Sequence, residues 1–154
     1  MNFQSNIVVD TVLQAFPLSP LCASPETTIR EAFETLRSHR RGCLLICQDQ
    51  RLVGIFTERD ALRLMVDGTD FQQPIRQVMQ HPVATAWHDE TVGDAVARMS
   101  EGGFRQLPIL NDAREPVGIL TVRSILRYLV EHFPGVVYTL PPEPHYVVQG
   151  REGA

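Results

Sequence analysis

Val53-Gly54-Ile55-Phe56-Thr57-Glu58-Arg59-Asp60 is the stretch that decides the fold, because its first five positions are written a second time as Val117-Gly118-Ile119-Leu120-Thr121. Upstream, Thr28-Ile29-Arg30-Glu31-Ala32 recurs as Thr91-Val92-Gly93-Asp94-Ala95. Thr28 and Thr91 are 63 residues apart and Val53 and Val117 are 64 apart, so one residue was inserted between the two matches. Two separated matches in one order mark an internal repeat of a unit of about 60 residues.

Working outward from Thr57, each copy reads as β-α-β-β-α. A short apolar strand comes first, near Pro20 to Ala23 and Val83 to Ala86. A helix follows, with Ile29, Ala32, Phe33 and Leu36 at helical spacing, and Val92, Ala95, Val96 and Met99 repeating the stripe. Thr28 with Glu31 forms a capping-box pair, and Thr91 with Asp94 is a near variant. Two strands joined by a polar turn come next: Cys43 to Cys47 and Leu52 to Thr57, then Leu107 to Leu110 and Pro116 to Thr121. A second helix closes each unit, Glu58 to Val66 and Val122 to His132. One such unit buries little alone. The expected fold is therefore α/β (α+β), two tandem units in a pseudo-twofold pair. The boundaries read as an N-terminal extension (1–16), unit 1 (17–66), a polar linker (67–79) with a short helical turn at Ile75 to Met79, unit 2 (80–133) and an extended, proline-rich tail (134–154).

The 154 residues are 44% apolar, enough for a real core, and carry a formal charge of -4 from 14 basic and 18 acidic residues. That mild acidity argues against nucleic acid as a partner. No apolar run reaches membrane-spanning length, and Met1 to Asp10 lacks the pattern of a secretory signal. A cytoplasmic location is expected. Cys22, Cys43 and Cys47 read as reduced core cysteines. Residues four apart in a strand lie ~13 Å apart, so Cys43 and Cys47 do not suit one metal ion. The five histidines form no ligand pair, and no nucleophile-base motif is present, so neither a metal site nor an enzyme is expected. Trp87 is expected at a domain edge, and Tyr138 and Tyr146 are expected to anchor the tail.

The repeat and the sequence Gly54-Ile55-Phe56-Thr57-Glu58-Arg59-Asp60 together resemble the cystathionine β-synthase (CBS) domain family over residues 17–132. The pattern Gly-apolar-x-Thr/Ser-x-x-Asp is that family's nucleotide signature. The resemblance implies a regulatory ligand-sensing pair without catalytic activity or cofactor, binding AMP, ADP or ATP in the cleft between repeats and signalling to a partner protein. The alternatives are a ligand-free dimerisation scaffold and a sensor of S-adenosylmethionine.

Thr57 sits where a strand ends and a helix begins, a place that favours an oxygen anion. Asp60 lies one turn on, and its carboxylate suits the two hydroxyls of a ribose. The competing reading is that both residues simply cap the helix. Leu21, Cys22 and Ala23 with Cys43 and Leu44 are expected to form an apolar slot for adenine. By resemblance, Arg41 and Arg123 supply the phosphate cations of this first site, with His39 and Arg40 nearby. The second site holds Thr121, Ser124, Arg105 and Arg59, and each arginine taken singly also reads as a solvated loop charge. Ser124 replaces the acid, so the second site is expected to be weak or empty. The second helices carry Ala61, Leu64 and Met65, and Ile125, Leu126 and Leu129, more apolar surface than one unit hides. A homodimer is therefore expected.

Overall fold

In the computed structural model, residue 7 and residues 9–133 are described, so the expectations for the C-terminal tail lie outside the described residues. Unit 1 comprises β1 (Cys22–Ala23), α1 (Ile29–His39), β2 (Cys43–Gln48), β3 (Arg51–Thr57) and α2 (Glu58–Asp67). Unit 2 comprises β4 (Ala86–Trp87), α3 (Val92–Gly102), β5 (Gln106–Leu110), β6 (Pro116–Thr121) and α4 (Val122–His132). Each unit has a three-stranded sheet in which the short first strand runs parallel to the second and the last two form an antiparallel hairpin. The helices start at the threonines the sequence marks. Thr28 and Thr91 accept hydrogen bonds from the backbone N–H of Glu31 and Asp94, and Glu31 reaches back to the Thr28 N–H at 2.8 Å.

Each sheet has a helix-facing side. Ile29, Ala32, Leu36, Leu44, Ile46 and Phe56 form the unit 1 core. Val92, Ala95, Met99, Leu107, Ile109, Leu120 and Tyr128 form that of unit 2. Alternate strand residues point to the other face. There Cys43, Leu45 and Ile55 of unit 1 meet Ile119 of unit 2, a third core between the sheets.

The segment leading into each unit packs on the other one. Val12 and Ala15 are buried in the unit 2 core, whereas Ile75 is buried in that of unit 1. A short 3-10 turn marks each crossing, Val12–Gln14 and Ile75–Gln77. Bridges Thr11 to Thr91 and Thr28 to Pro74 keep the 63-residue spacing, so the extension and the linker are two copies of one element. Further on, Leu18 exchanges backbone hydrogen bonds with Ile119, and Gln80 with Ile55. The crossing needs glycine beneath it: a Cβ on Gly54 would lie 2.4 Å from the Met79 sulfur, and one on Gly118 would lie 3.1 Å from Pro17.

Candidate functional site

The exchange of entering segments decides which residues share a cleft. A cavity of about 670 Å³ opens between the units, within the range of small-ligand sites. Unit 1 contributes Gly42, Thr57, Glu58, Arg59 and Leu62. The crossing segment contributes Gln80, Pro82, Val83 and Ala84, and unit 2 contributes Phe104, Arg105 and Gln106. The charges on the wall are two exposed arginines and the carboxylate of Glu58.

Thr57 and Asp60 do not point together into this space. The Thr57 hydroxyl and backbone N–H both donate to one Asp60 oxygen, at 3.0 and 2.9 Å, and the Asp60 N–H donates back to the hydroxyl. This is a reciprocal cap on α2. The other Asp60 oxygen accepts from the Gln80 amide at 2.6 Å and from Arg63 at 3.3 Å. Asp60 is 4% exposed and lies outside the cleft wall, while Thr57 lies on it. Thr121 and Ser124 repeat the cap on α4, with their hydroxyls 2.9 Å apart and Ser124 buried.

The arginine pairs are exchanged relative to the sequence reading. Arg105 and Arg59 share the cleft with Thr57. Arg41 stands outside that wall and donates to the Ser19 carbonyl. Arg123 is exposed at the start of α4, beside Thr121. Nor are Arg41 and Arg105 equivalent. Cys43 pairs with Thr57 as Gln106 pairs with Thr121, so Arg105 corresponds to Gly42 and Arg41 to Phe104. The inserted residue lies in the second hairpin turn, beyond these positions, so the 63-residue spacing applies to them.

The expected adenine slot is also divided. Leu44 is buried in the helix-side core of unit 1, with Leu21 and Ala23 packed against it. Cys43 is buried between the sheets. Cys22 is exposed and lines, with Ala23, a different depression. The apolar wall of the cleft comes instead from Pro82, Val83, Ala84, Leu62 and the half-exposed Phe104. A Cβ at Gly102 would meet the Phe104 ring at 2.1 Å, so Gly102 lets that ring fold over the end of α3. Phe104 and Gln80 were missed in the sequence because nothing local marks them. His39 bonds the Thr35 carbonyl, and Arg40 ends α1 in a left-handed conformation.

Burial pushes the Cys43 thiol up to about 11, with Arg41 partly opposing it and Glu58 reinforcing it. Among the described residues, no cluster of three metal-ligating side chains occurs, and no helix is long and apolar enough to cross a membrane.

Comparison with known proteins agrees with this architecture. The family model for the CBS domain matches residues 15–67 and 75–131. An uncharacterised 17.7 kDa protein of Acidianus ambivalens is 34% identical over 108 residues, which span 70% of this chain and 65% of that protein. The CBS domain pair of protein MJ0100, solved in complex with 5-methylthioadenosine and S-adenosyl-L-methionine, is 30% identical with a TM-score of 0.70, covering 76% of this chain and 97% of that one. The CBS domain protein PAE2072 from Pyrobaculum aerophilum, complexed with AMP, is 25% identical with a TM-score of 0.70, covering 79% and 98%.

Proposed function

The chain belongs to the CBS domain family, and from that premise we propose that it is a regulatory module that binds an adenine nucleotide between its units and signals to a partner protein. The observation that carries the reading is the cleft itself, in which two arginines and an apolar wall meet at the capped start of α2. In this reading the adenine rests against Phe104, Pro82, Val83 and Ala84. Arg59 and Arg105 take the phosphate, with the guanidinium forks suited to paired oxygens. Glu58 opposes a high phosphate charge, which favours AMP over ATP. The two solved relatives were complexed with adenosine compounds, which supports an adenine ligand for this cleft.

Asp60 keeps a part in this scheme. A ribose hydroxyl that bonds its outer oxygen displaces the Gln80 amide. Gln80 belongs to the segment that crosses between the units, so the ligand acts on the junction. The signal then arises from unequal affinity for two arrangements of the junction. Thr121, Ser124, Arg123 and Arg41 belong to the weaker, pseudo-symmetric site, whose crossing segment includes Ser19.

Calorimetric titration of AMP, ADP, ATP and S-adenosylmethionine into the wild type and Arg105→Ala tests the proposal. AMP is expected to bind, and Arg105→Ala to weaken it by about tenfold or more, since a hydrogen bond to a charged group contributes roughly 1.5–3 kcal/mol. If no compound binds or raises the melting temperature, the module is a dimerisation scaffold. The closed cap of Asp60 with Gln80 is the observation that favours that second reading.

A further inference from the structure

Cys22 and Cys47, which the sequence assigned to the core, stand together at the edge of the unit 1 sheet. Cys22 on β1 lies opposite Leu45 on the parallel strand β2. Cys47 follows a β-bulge after Ile46 and packs against the cluster that holds Leu45. The two thiols are close enough to shift each other's titration. Both line a depression that also takes in Gln50 from the hairpin of unit 1 and Glu115 and Pro116 from that of unit 2. Cys22 is exposed and Cys47 half-buried, whereas Cys43 points into the space between the sheets and is 3% exposed. We propose that Cys22 and Cys47 are a reversible redox pair, closed by a hydroperoxide into a disulfide that ties β1 to β2 at the seam between the units.

The chemistry assigns the roles. The neighbouring Cys47 thiol lowers the Cys22 thiol to about 7 against opposing burial, and Cys22 with burial raises that of Cys47. Cys22 is therefore about half thiolate at neutral pH and, being exposed, is the accessible nucleophile. Its sulfur attacks one peroxide oxygen, the O–O bond breaks, and the second oxygen leaves and is protonated to water. Cys22 is then a sulfenic acid. The Cys47 sulfur attacks the Cys22 sulfur, the S–O bond breaks, and hydroxide leaves with the Cys47 proton as a second water. Two thiols and one hydrogen peroxide give one disulfide and two waters.

Parallel strands about 4.8 Å apart, with a two-residue offset of about 6.6 Å, put the two Cα atoms about 8 Å apart, beyond the usual disulfide span. Closure therefore draws the two-residue strand β1 along β2. An exposed bridge closed by such a shift is readily reduced, as a switch requires. The strand moved is continuous with Leu18 and Ser19, the segment that crosses to β6 and receives Arg41. The pair thus sits where a change in unit 1 reaches unit 2, and its oxidation does not depend on the nucleotide reading.

The full chain is treated with hydrogen peroxide and its thiols are counted in denaturant. The count is expected to fall from three to one and to return with dithiothreitol. Tryptic mass mapping is expected to show the peptide carrying Cys22 joined to that carrying Cys47, 2 Da below the sum of the reduced peptides. Cys43→Ser is expected to form the same link. Cys47→Ser is expected to lose it and to accumulate a sulfenic acid on Cys22 that dimedone traps. Three surviving thiols in the wild type, a link that persists in Cys47→Ser, or a Cys22 bridge between two chains would overturn the proposal.

Discussion

At the scale of single residues, Asp60 shows how one side chain answers two demands. The sequence placed Thr57 and Asp60 correctly at the start of a helix, because cap chemistry is local. It could not show Gln80, whose amide reaches Asp60 from 20 positions away along a crossing segment. Removal of the carboxylate leaves the Thr57 N–H and the Gln80 amide without their acceptor. Asp60→Ala is therefore expected to lower stability by about 2–3 kcal/mol, read from urea unfolding without ligand. Asp60→Asn keeps acceptor capacity and is expected to cost less. Equal unfolding midpoints for the wild type and Asp60→Ala would mean that the cap contributes nothing. Arg41 and Arg105 carry the opposite lesson. Both were legible as cations before a second strand, yet they differ by one register position. The inserted residue lies in the second hairpin turn, so only the paired strands, not the arginines themselves, fix that register.

At the scale of elements, strands and helices were legible because apolar periodicity and cap threonines agree at each start. Val122–His132 and Pro116–Thr121 fall where the pattern put them. The crossing segments were not legible as part of the repeat. Val12-Leu13-Gln14 and Ile75-Arg76-Gln77 share too little to register as copies, and their equivalence lies in what they cover. Gly54 is the element-level consequence of that crossing. Gly54→Ala drives a methyl group into Met79, with even the Met79 Cβ 3.2 Å away. Overpacking of this kind costs about 1–3 kcal/mol. Thermal melting of Gly54→Ala and of Gly54→Ala with Met79→Ala tests this: if crowding is the cause, the single variant melts lower and the second change recovers part of the loss.

The N-terminal crossing is held to α4 by Tyr128, fully buried, whose hydroxyl donates to Asp10 at 2.5 Å. Burial first, and then this bond, push the Tyr128 phenol above its ordinary value. A raised value in the folded chain contributes stability that is present below pH ~10 and lost as pH rises through the folded-state value. Tyr128→Phe is expected to cost about 1 kcal/mol at neutral pH. Its alkaline loss of stability, followed by denaturation between neutral pH and the alkaline limb, is expected to be shallower than that of the wild type. A parallel alkaline limb would remove Tyr128 as its source.

At the scale of the whole molecule, the pseudo-twofold pair was legible from the repeat, and the surface it leaves uncovered was legible only in part. Each second helix carries two apolar stripes. Ala61 and Leu64, with Ile125 and Leu129, turn inward onto the cores of their own units. The sequence count had assigned these four to a partner. The stripe left outside is Leu62, Met65 and Val66 on α2, and Val122, Leu126 and Val130 on α4. Leu62 and Leu126 occupy corresponding positions in the two units and are 65% and 56% exposed. An apolar stripe repeated at equivalent places on both units is expected to meet a second copy, with Leu62 shared between this stripe and the cleft wall. The proposed homodimer therefore rests on these residues. Sedimentation equilibrium is expected to give twice 17.3 kDa for the wild type and the single mass for the Leu62→Glu, Leu126→Glu double variant. Buried charges without partners cost more than such a face can recover. Both side chains are exposed in the single chain, so the double variant is expected to keep the wild-type circular dichroism spectrum. A wild type that sediments at the single mass at every concentration would leave the stripe without the partner assigned to it.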